Sequence, residues 1–263
     1  MLVAARGFPA AGVAAATIGG GALCAGAAAT FNGLYDRDID RVMQRTQRRP
    51  LPGDQLSVRT GWIWGSVLFA TSITVLWIGV GPISAGLAAA AFVIYVGIYT
   101  LGLKRRSPQN IVIGGAAGAF PPVIGWAAAT GGIGVEALVL FAIVFVWTPP
   151  HFWALALYRA GDYARAGVPM LPVVAGRRET KRQILLYSVL LLAVSLAPYA
   201  LGFAGVVYAA AAAVLGLAFL AAAIDVGRGE GDRAARRLFG YSILYLFALF
   251  AILAVDSVAG TGA

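Results

Sequence analysis

The sequence predicts an all-α, polytopic membrane bundle of about eight transmembrane helices, and three observations carry that prediction. Of the 263 residues 60% are hydrophobic and only 12% charged, with a mean hydropathy of +0.82, far from the composition of a water-soluble domain. Apolar stretches of about 20 residues, the length that crosses the hydrocarbon of a bilayer, recur eight times. None alternates apolar with polar residues as a barrel strand does.

The stretches lie near 11–32, 60–80, 83–103, 110–130, 135–158, 184–202, 204–224 and 239–259. The first is mostly Ala and Gly, small residues that let helices approach closely in lipid. It has no basic leader and no cleavage site, so it reads as a span and not as a signal peptide. Cys24, the single cysteine, lies within it; no internal disulfide is available, and a small packed side chain is expected. The fourth span holds "GGAAGAFPPVIGW" and the fifth "WTPPHFW", proline-bearing segments that a bundle tolerates where neighbouring helices satisfy the freed carbonyls. With no solenoid period and no low-complexity linker, residues 1–263 are expected to form one transmembrane domain.

The charge pattern orients the bundle. Of the 20 Lys and Arg, six fall in 33–59, three in 104–106, six in 159–182 and four in 228–237, leaving only Arg6 elsewhere. By the positive-inside rule these alternate loops are cytoplasmic and the N-terminus lies outside, which gives a multi-pass protein of the cell membrane. The net charge of +9 is confined to loops beside the bilayer, where insertion and anionic headgroups account for it, so nucleic acid is excluded as a partner. The last basic loop mixes Asp225, Glu230 and Asp232 with Arg228, Arg233, Arg236 and Arg237 and reads as a solvated turn.

The loop after the first span carries the chemistry. In "NGLYDRDIDRVMQRTQRRPLP" (32–52), Asn32, Asp36 and Asp40 are spaced four apart, so a helix continuing out of the membrane lines them along one face while Asp38 points elsewhere. Like charges at that spacing are mildly unfavourable, and hard oxygen ligands on one face suit a Mg²⁺ ion shared with a phosphate. Arg41, Arg45, Arg48 and Arg49 crowd the same segment and suit a diphosphate. The competing reading is a solvated loop in which Asp36, Asp38 and Asp40 pair with Arg37, Arg41 and Arg45. His151, the only histidine, is an intramembrane polar group and so a functional candidate by default; the alternative is a packing histidine bonded to a carbonyl freed by Pro149 and Pro150.

These residues also resemble a known family. The run 32–52 resembles the first aspartate-rich motif, NxxxDxxxD, of the UbiA-type intramembrane prenyltransferases, and "RTQRRPLP" is similar to their haem O synthase branch. The resemblance continues in "LKRRSPQNIVIGGAAGAFPPVIGWAA" (103–128), "WTPPHFWALAL" (147–157) and "DYARAGVPMLPV" (162–173).

It implies transfer of a farnesyl group from farnesyl diphosphate to a vinyl group of haem b, so that haem is substrate and Mg²⁺ the cofactor. The implied metal ligands are Asn32, Asp36, Asp40 and Asp162, with Asp36, Asp40 and Asp162 as the catalytic acids. Asp162 stands where the superfamily's second acidic motif usually offers two aspartates. Arg41, Arg45, Lys104, Arg105 and Arg165 are implied at the diphosphate, Asn110 at the mouth of the next helix, and His151 and Trp147 at the haem. A topology-setting role also explains Lys104 and Arg105, and Asp162 beside Arg159 and Arg165 also fits an ordinary loop. The resemblance points to a downstream haem A synthase as a partner. It also implies nine spans, so that one further helix is expected ahead of the first span here. A quinone-pathway prenyltransferase is the alternative enzyme. A transporter fits poorly, because it requires ionisable groups near mid-membrane and these crowd the span ends.

Overall fold

The computed structural model describes residues 1–260, and every regular element among them is helical. Eight of these helices are long and apolar enough to cross a bilayer: α1 Ala11–Tyr35, α2 Val58–Gly79, α3 Pro82–Leu103, α4 Asn110–Thr130, α5 Val135–Tyr158, α6 Gly176–Ala200, α7 Val206–Arg228 and α8 Arg233–Val258. The chain is therefore a multi-pass membrane bundle.

Local chemistry sets the helix ends. Ser57 caps α2, its Oγ accepting from the Thr60 amide at 3.0 Å. Pro82 opens α3, where its missing N–H is one that the first turn leaves unpaired anyway. Gly131 closes α4 at φ 75°, a left-handed cap that glycine adopts without strain. Helices α6 and α8 begin at Gly176 and Arg233, ahead of the apolar stretches near 184 and 239. Their charged first turns contain good helix formers and stand clear of the hydrocarbon; hydropathy marks where a helix enters lipid, not where it starts.

Helices adjacent in sequence pack against each other, and α5 also packs against α8. Small residues permit the closest approaches. On α1, a Cβ added to Gly20 would lie 2.6 Å from Cγ of Leu76 on α2, and Ser72 Oγ donates to the Gly20 carbonyl at 2.7 Å. Gly20→Val is therefore expected to lower the melting temperature in detergent by the equivalent of about 1–3 kcal/mol of overpacking; an unchanged melting temperature would contradict this contact.

Two apolar clusters hold the bundle together. One joins α5 to α8 through Ile143, Leu157, Tyr208, Phe219, Leu238 and Tyr245, and the other joins α1 to α4 through Cys24, Leu76, Ala88 and Ile124. A third, at the charged end, ties Ile39 and Met43 after α1 to Ile111 on α4 and to Tyr163, Val168 and Met170 after α5. It brings the loop after α1 and the loop after α5 to the same mouth. The second half of α3, Ile94–Leu103, is π-helical, with the Lys104 amide donating to the Tyr99 carbonyl five residues back at 2.8 Å. Such turns are rare and gather at functional sites.

Candidate active site

A cavity of about 1070 Å³ lies inside the bundle, apolar over most of its depth and charged at one end. Its inner wall includes Phe92, Ile124, Trp147 and Phe152, and its charged mouth includes Asp40, Arg45, Arg49 and Lys104. Tyr95 and Tyr99 face it from the π-helical turn and Tyr163 from the loop after α5.

The acidic motif keeps its four-residue repeat through a break in the helix. α1 ends at Tyr35, and Asp36 (φ −90°, ψ 11°) joins it to a short helix, Arg37–Val42. The amides of Asp36 and Asp40 still donate to the carbonyls of Asn32 and Asp36, at 2.9 and 2.7 Å. All three side chains are consequently buried, Asp36 completely, whereas the Asp38 side chain is 66% exposed.

Around Asp36 the contacts converge from three elements. Asn32 Nδ2 donates to Asp36 Oδ2 at 2.8 Å and to Thr100 Oγ1 at 3.1 Å, and Lys104 Nζ donates to the same Asp36 oxygen. Asp36 Oδ1 has no hydrogen-bond partner among the described residues, although Arg105 Nη2 lies 3.5 Å away. A buried carboxylate oxygen left unbonded is unfavourable by about 1–3 kcal/mol or more, so this oxygen has the chemistry to accept an added cation. Asp40, with Oδ2 on Arg49 at 3.1 Å, supplies a second carboxylate on the same face. The donor set of Asn32, Asp36 and Asp40 is hard oxygen, the kind that Mg²⁺ takes.

The competing reading, in which these acids pair with Arg37, Arg41 and Arg45, is not what forms among the described residues. Arg37 and Arg41 both turn to Asp54, and Arg41 also donates from Nε to the Pro52 carbonyl at 3.1 Å. Arg41, expected at the diphosphate, thus lies outside the cavity wall, whereas Arg45 and Lys104 lie in it. Arg105 holds Asp38 with two hydrogen bonds of 2.6 and 2.7 Å. That contact pulls the Asp38 carboxyl below the usual carboxylate range and raises the Arg105 guanidinium.

Asp162 sits in the short helix Ala160–Arg165, buried. It is bracketed by Arg165 and by Arg159, the latter at 3.5 Å. Its neighbour Tyr163 reaches the cavity wall, and burial raises the phenol pKa there. Among the described residues no three His, Cys, Asp or Glu side chains gather closely enough to hold a metal. The expected convergence of Asp36, Asp40 and Asp162 is therefore not formed here, because each carboxylate is drawn to a cation of its own.

His151 is buried and absent from the cavity wall. Its ring stacks between Trp147 and Phe239, with centroids at 4.3 and 4.6 Å, and Nδ1 meets Ser242 Oγ at 2.6 Å. Since Ser242 Oγ donates to the Phe239 carbonyl, it accepts from His151, so Nδ1 carries the proton. Trp147 does face the cavity, its indole held by a hydrogen bond to the Ser242 carbonyl at 2.8 Å. Sequence reasoning missed Tyr95, Tyr99, Thr100 and Ser242. The two tyrosines belong to no motif in the sequence, and both lie on the π-helical segment that lines the cavity.

Acids and bases at the mouth of an apolar, helix-walled chamber give a membrane protein whose cavity suits an amphipathic molecule with an anionic head and an apolar tail. The chain belongs to the UbiA prenyltransferase family, which it matches over residues 1–254. It is 53% identical over 245 residues to a protein named protoheme IX farnesyltransferase in Parvibaculum lavamentivorans, covering 92% of this chain and 77% of that one. It is 52% identical over 240 residues to the protein of the same name in Neorickettsia sennetsu, covering 91% and 79%. Among solved structures, a digeranylgeranylglyceryl phosphate synthase superposes with a TM-score of 0.82 at 16% identity, covering 98% of this chain and 90% of that one. A UbiA homologue from Archaeoglobus fulgidus bound to GPP and Mg²⁺ superposes at 0.67 with 17% identity, covering 93% and 89%. Both share the fold.

Proposed function

We propose that this chain transfers a farnesyl group from farnesyl diphosphate to a vinyl group of haem b, giving haem O and releasing diphosphate. One observation carries the reading: the buried Asp40 stands with Asn32, Lys104, Arg45 and Arg49 at the mouth of a cavity of about 1070 Å³ with apolar walls, and Lys104 also holds the buried Asp36. The relatives named protoheme IX farnesyltransferase support the choice of acceptor.

Asn32, Asp36 and Asp40 would hold Mg²⁺, with Asp162 facing from the loop after α5; the ion would neutralise diphosphate oxygens and make them a better leaving group. Lys104 and Arg45, with Arg165 beyond them, bind the remaining phosphate charge, which grows as the C–O bond breaks. The bond's electron pair leaves with the diphosphate, and the allylic carbon joins the terminal carbon of the vinyl group. Water then adds to the resulting haem-side cation and loses a proton, giving the hydroxyethylfarnesyl group. The apolar walls, to which Tyr95 and Tyr99 contribute, limit premature capture by water. Trp147, held by Ser242 and backed by His151, forms the wall against which the flat macrocycle lies.

In this reading residues 1–263 act as one domain in the cell membrane, with the charged loops cytoplasmic and residue 1 outside, and the product passes to a haem A synthase. The test is the mass of haem recovered from membranes holding this chain, farnesyl diphosphate, haem b and Mg²⁺. A haem carrying the hydroxyethylfarnesyl addition is expected; unmodified haem with the chain folded and all substrates present overturns the proposal.

Asp162, already bracketed by two arginines, acts at one remove by orienting Arg165. Asp162→Asn is expected to lower turnover about tenfold, the scale of an outer supporting contact. Steady-state kinetics check this, and a loss as large as that of Asp36→Asn would instead place Asp162 on the metal.

A further inference from the structure

Arg105 stands beside Lys104 in sequence, yet the two side chains do different things. Lys104 reaches Asp36 and the cavity wall. Arg105 bonds mainly to Asp38, with Nη1 on Asp38 Oδ2 at 2.7 Å and Nη2 on Asp38 Oδ1 at 2.6 Å, while Nη2 stays 3.5 Å from Asp36 Oδ1. Nη2 also donates to the Tyr35 carbonyl at 2.8 Å, and the guanidinium carbon lies 4.6 Å from the centre of the Tyr35 ring. Nε is buried and has no partner among the described residues.

We infer that Arg105 and Asp38 are a positioning pair, a latch that fastens the turn between α3 and α4 to the end of α1 and so sets Lys104 against Asp36. Three observations carry this. Asp38 is the motif's exposed carboxylate, aimed away from the buried trio, so it has no place in a shared metal site. The two partners are 67 residues apart, so their contact joins two elements instead of stabilising one helix. The far side of Lys104 is also held, since Asn110 Nδ2 donates to the Lys104 carbonyl at 3.2 Å; with Arg105 latched, the backbone that carries the lysine is gripped on both sides. Planar bidentate pairing is what arginine does best and lysine cannot copy. An exposed ion pair adds little to folding stability, so the latch shows in the geometry of the site more than in the melting temperature.

The inference rests on the diphosphate reading above, and its test separates the two. The full chain in detergent is titrated calorimetrically with inorganic pyrophosphate in the presence of Mg²⁺, for the unmodified chain, Asp38→Asn, Arg105→Gln and the double variant, with melting temperatures recorded alongside. Each single change is expected to weaken pyrophosphate binding about fivefold to tenfold. The double variant is expected to bind no worse than either single one, the signature of full coupling, with melting temperatures nearly unchanged. The reversed pair, Asp38→Arg with Arg105→Asp, is expected to recover most of the affinity. Arg105→Gln weakening binding while Asp38→Asn leaves it intact would make Arg105 a direct phosphate ligand and overturn the latch. Unchanged binding in both single variants would overturn it too. An unmodified chain that binds no pyrophosphate would overturn the diphosphate reading itself.

Discussion

Asp36→Asn lowers kcat/KM for farnesyl diphosphate by about 10²–10³-fold, the scale on which loss of one preorganised transition-state contact is felt, and Mg²⁺ dependence weakens with it. Asparagine has the shape of aspartate, so the fully buried position stays filled and the amide oxygen can still accept from Asn32. What disappears is the charge and the unbonded Oδ1 that would face the metal. The Lys104 side chain, 16% exposed at the mouth, keeps a route to water and is not stranded in the dry interior. Kinetics, metal titration and gel filtration of the same preparation check this. A folded variant with near-normal turnover would remove Asp36 from the chemistry.

Lys104→Met separates metal binding from catalysis. In the structure Lys104 occupies the Asp36 oxygen shared with Asn32, so an incoming cation must compete with it. Without the ammonium, Asp36 is left as a buried carboxylate with a weaker set of cation partners, and Mg²⁺ is expected to bind more tightly. Turnover is nevertheless expected to fall by about 10²-fold, because the lysine no longer meets the leaving diphosphate as its charge grows. Mn²⁺ titration as a surrogate for Mg²⁺, together with single-turnover kinetics, measures both halves. Metal affinity and rate falling together would mean that Lys104 only organises Asp36.

The legible part of the site was its spacing. Asn32, Asp36 and Asp40 recur every fourth residue, and that period survives as two main-chain hydrogen bonds even though the helix breaks at Asp36. The destinations of the arginines were not legible. Arg41 lies one residue from Asp40 in sequence but bonds Asp54, 13 residues on; Arg105 looks like a phosphate ligand in "LKRR" but bonds Asp38. His151 stands out in the sequence as the one histidine and is buried, whereas its partner Ser242, 91 residues away, is an unremarkable serine in an apolar span. Tyr95 and Tyr99 were hidden for a further reason: regular helical periodicity does not apply across a π turn.

By itself the sequence determined that this chain belongs in a membrane, where its eight long apolar stretches lie, and which acids line up at the end of the first span. These follow from the length of apolar runs and the helical repeat, both properties of residues near one another in the chain. Only the tertiary structure decided which cation meets which carboxylate, that Asp36, Asp40 and Asp162 do not gather into one cluster, and that Trp147 faces the cavity while His151 is absent from its wall. A long charged side chain has several partners within reach, and the choice among them depends on how close distant loops are brought when the bundle packs.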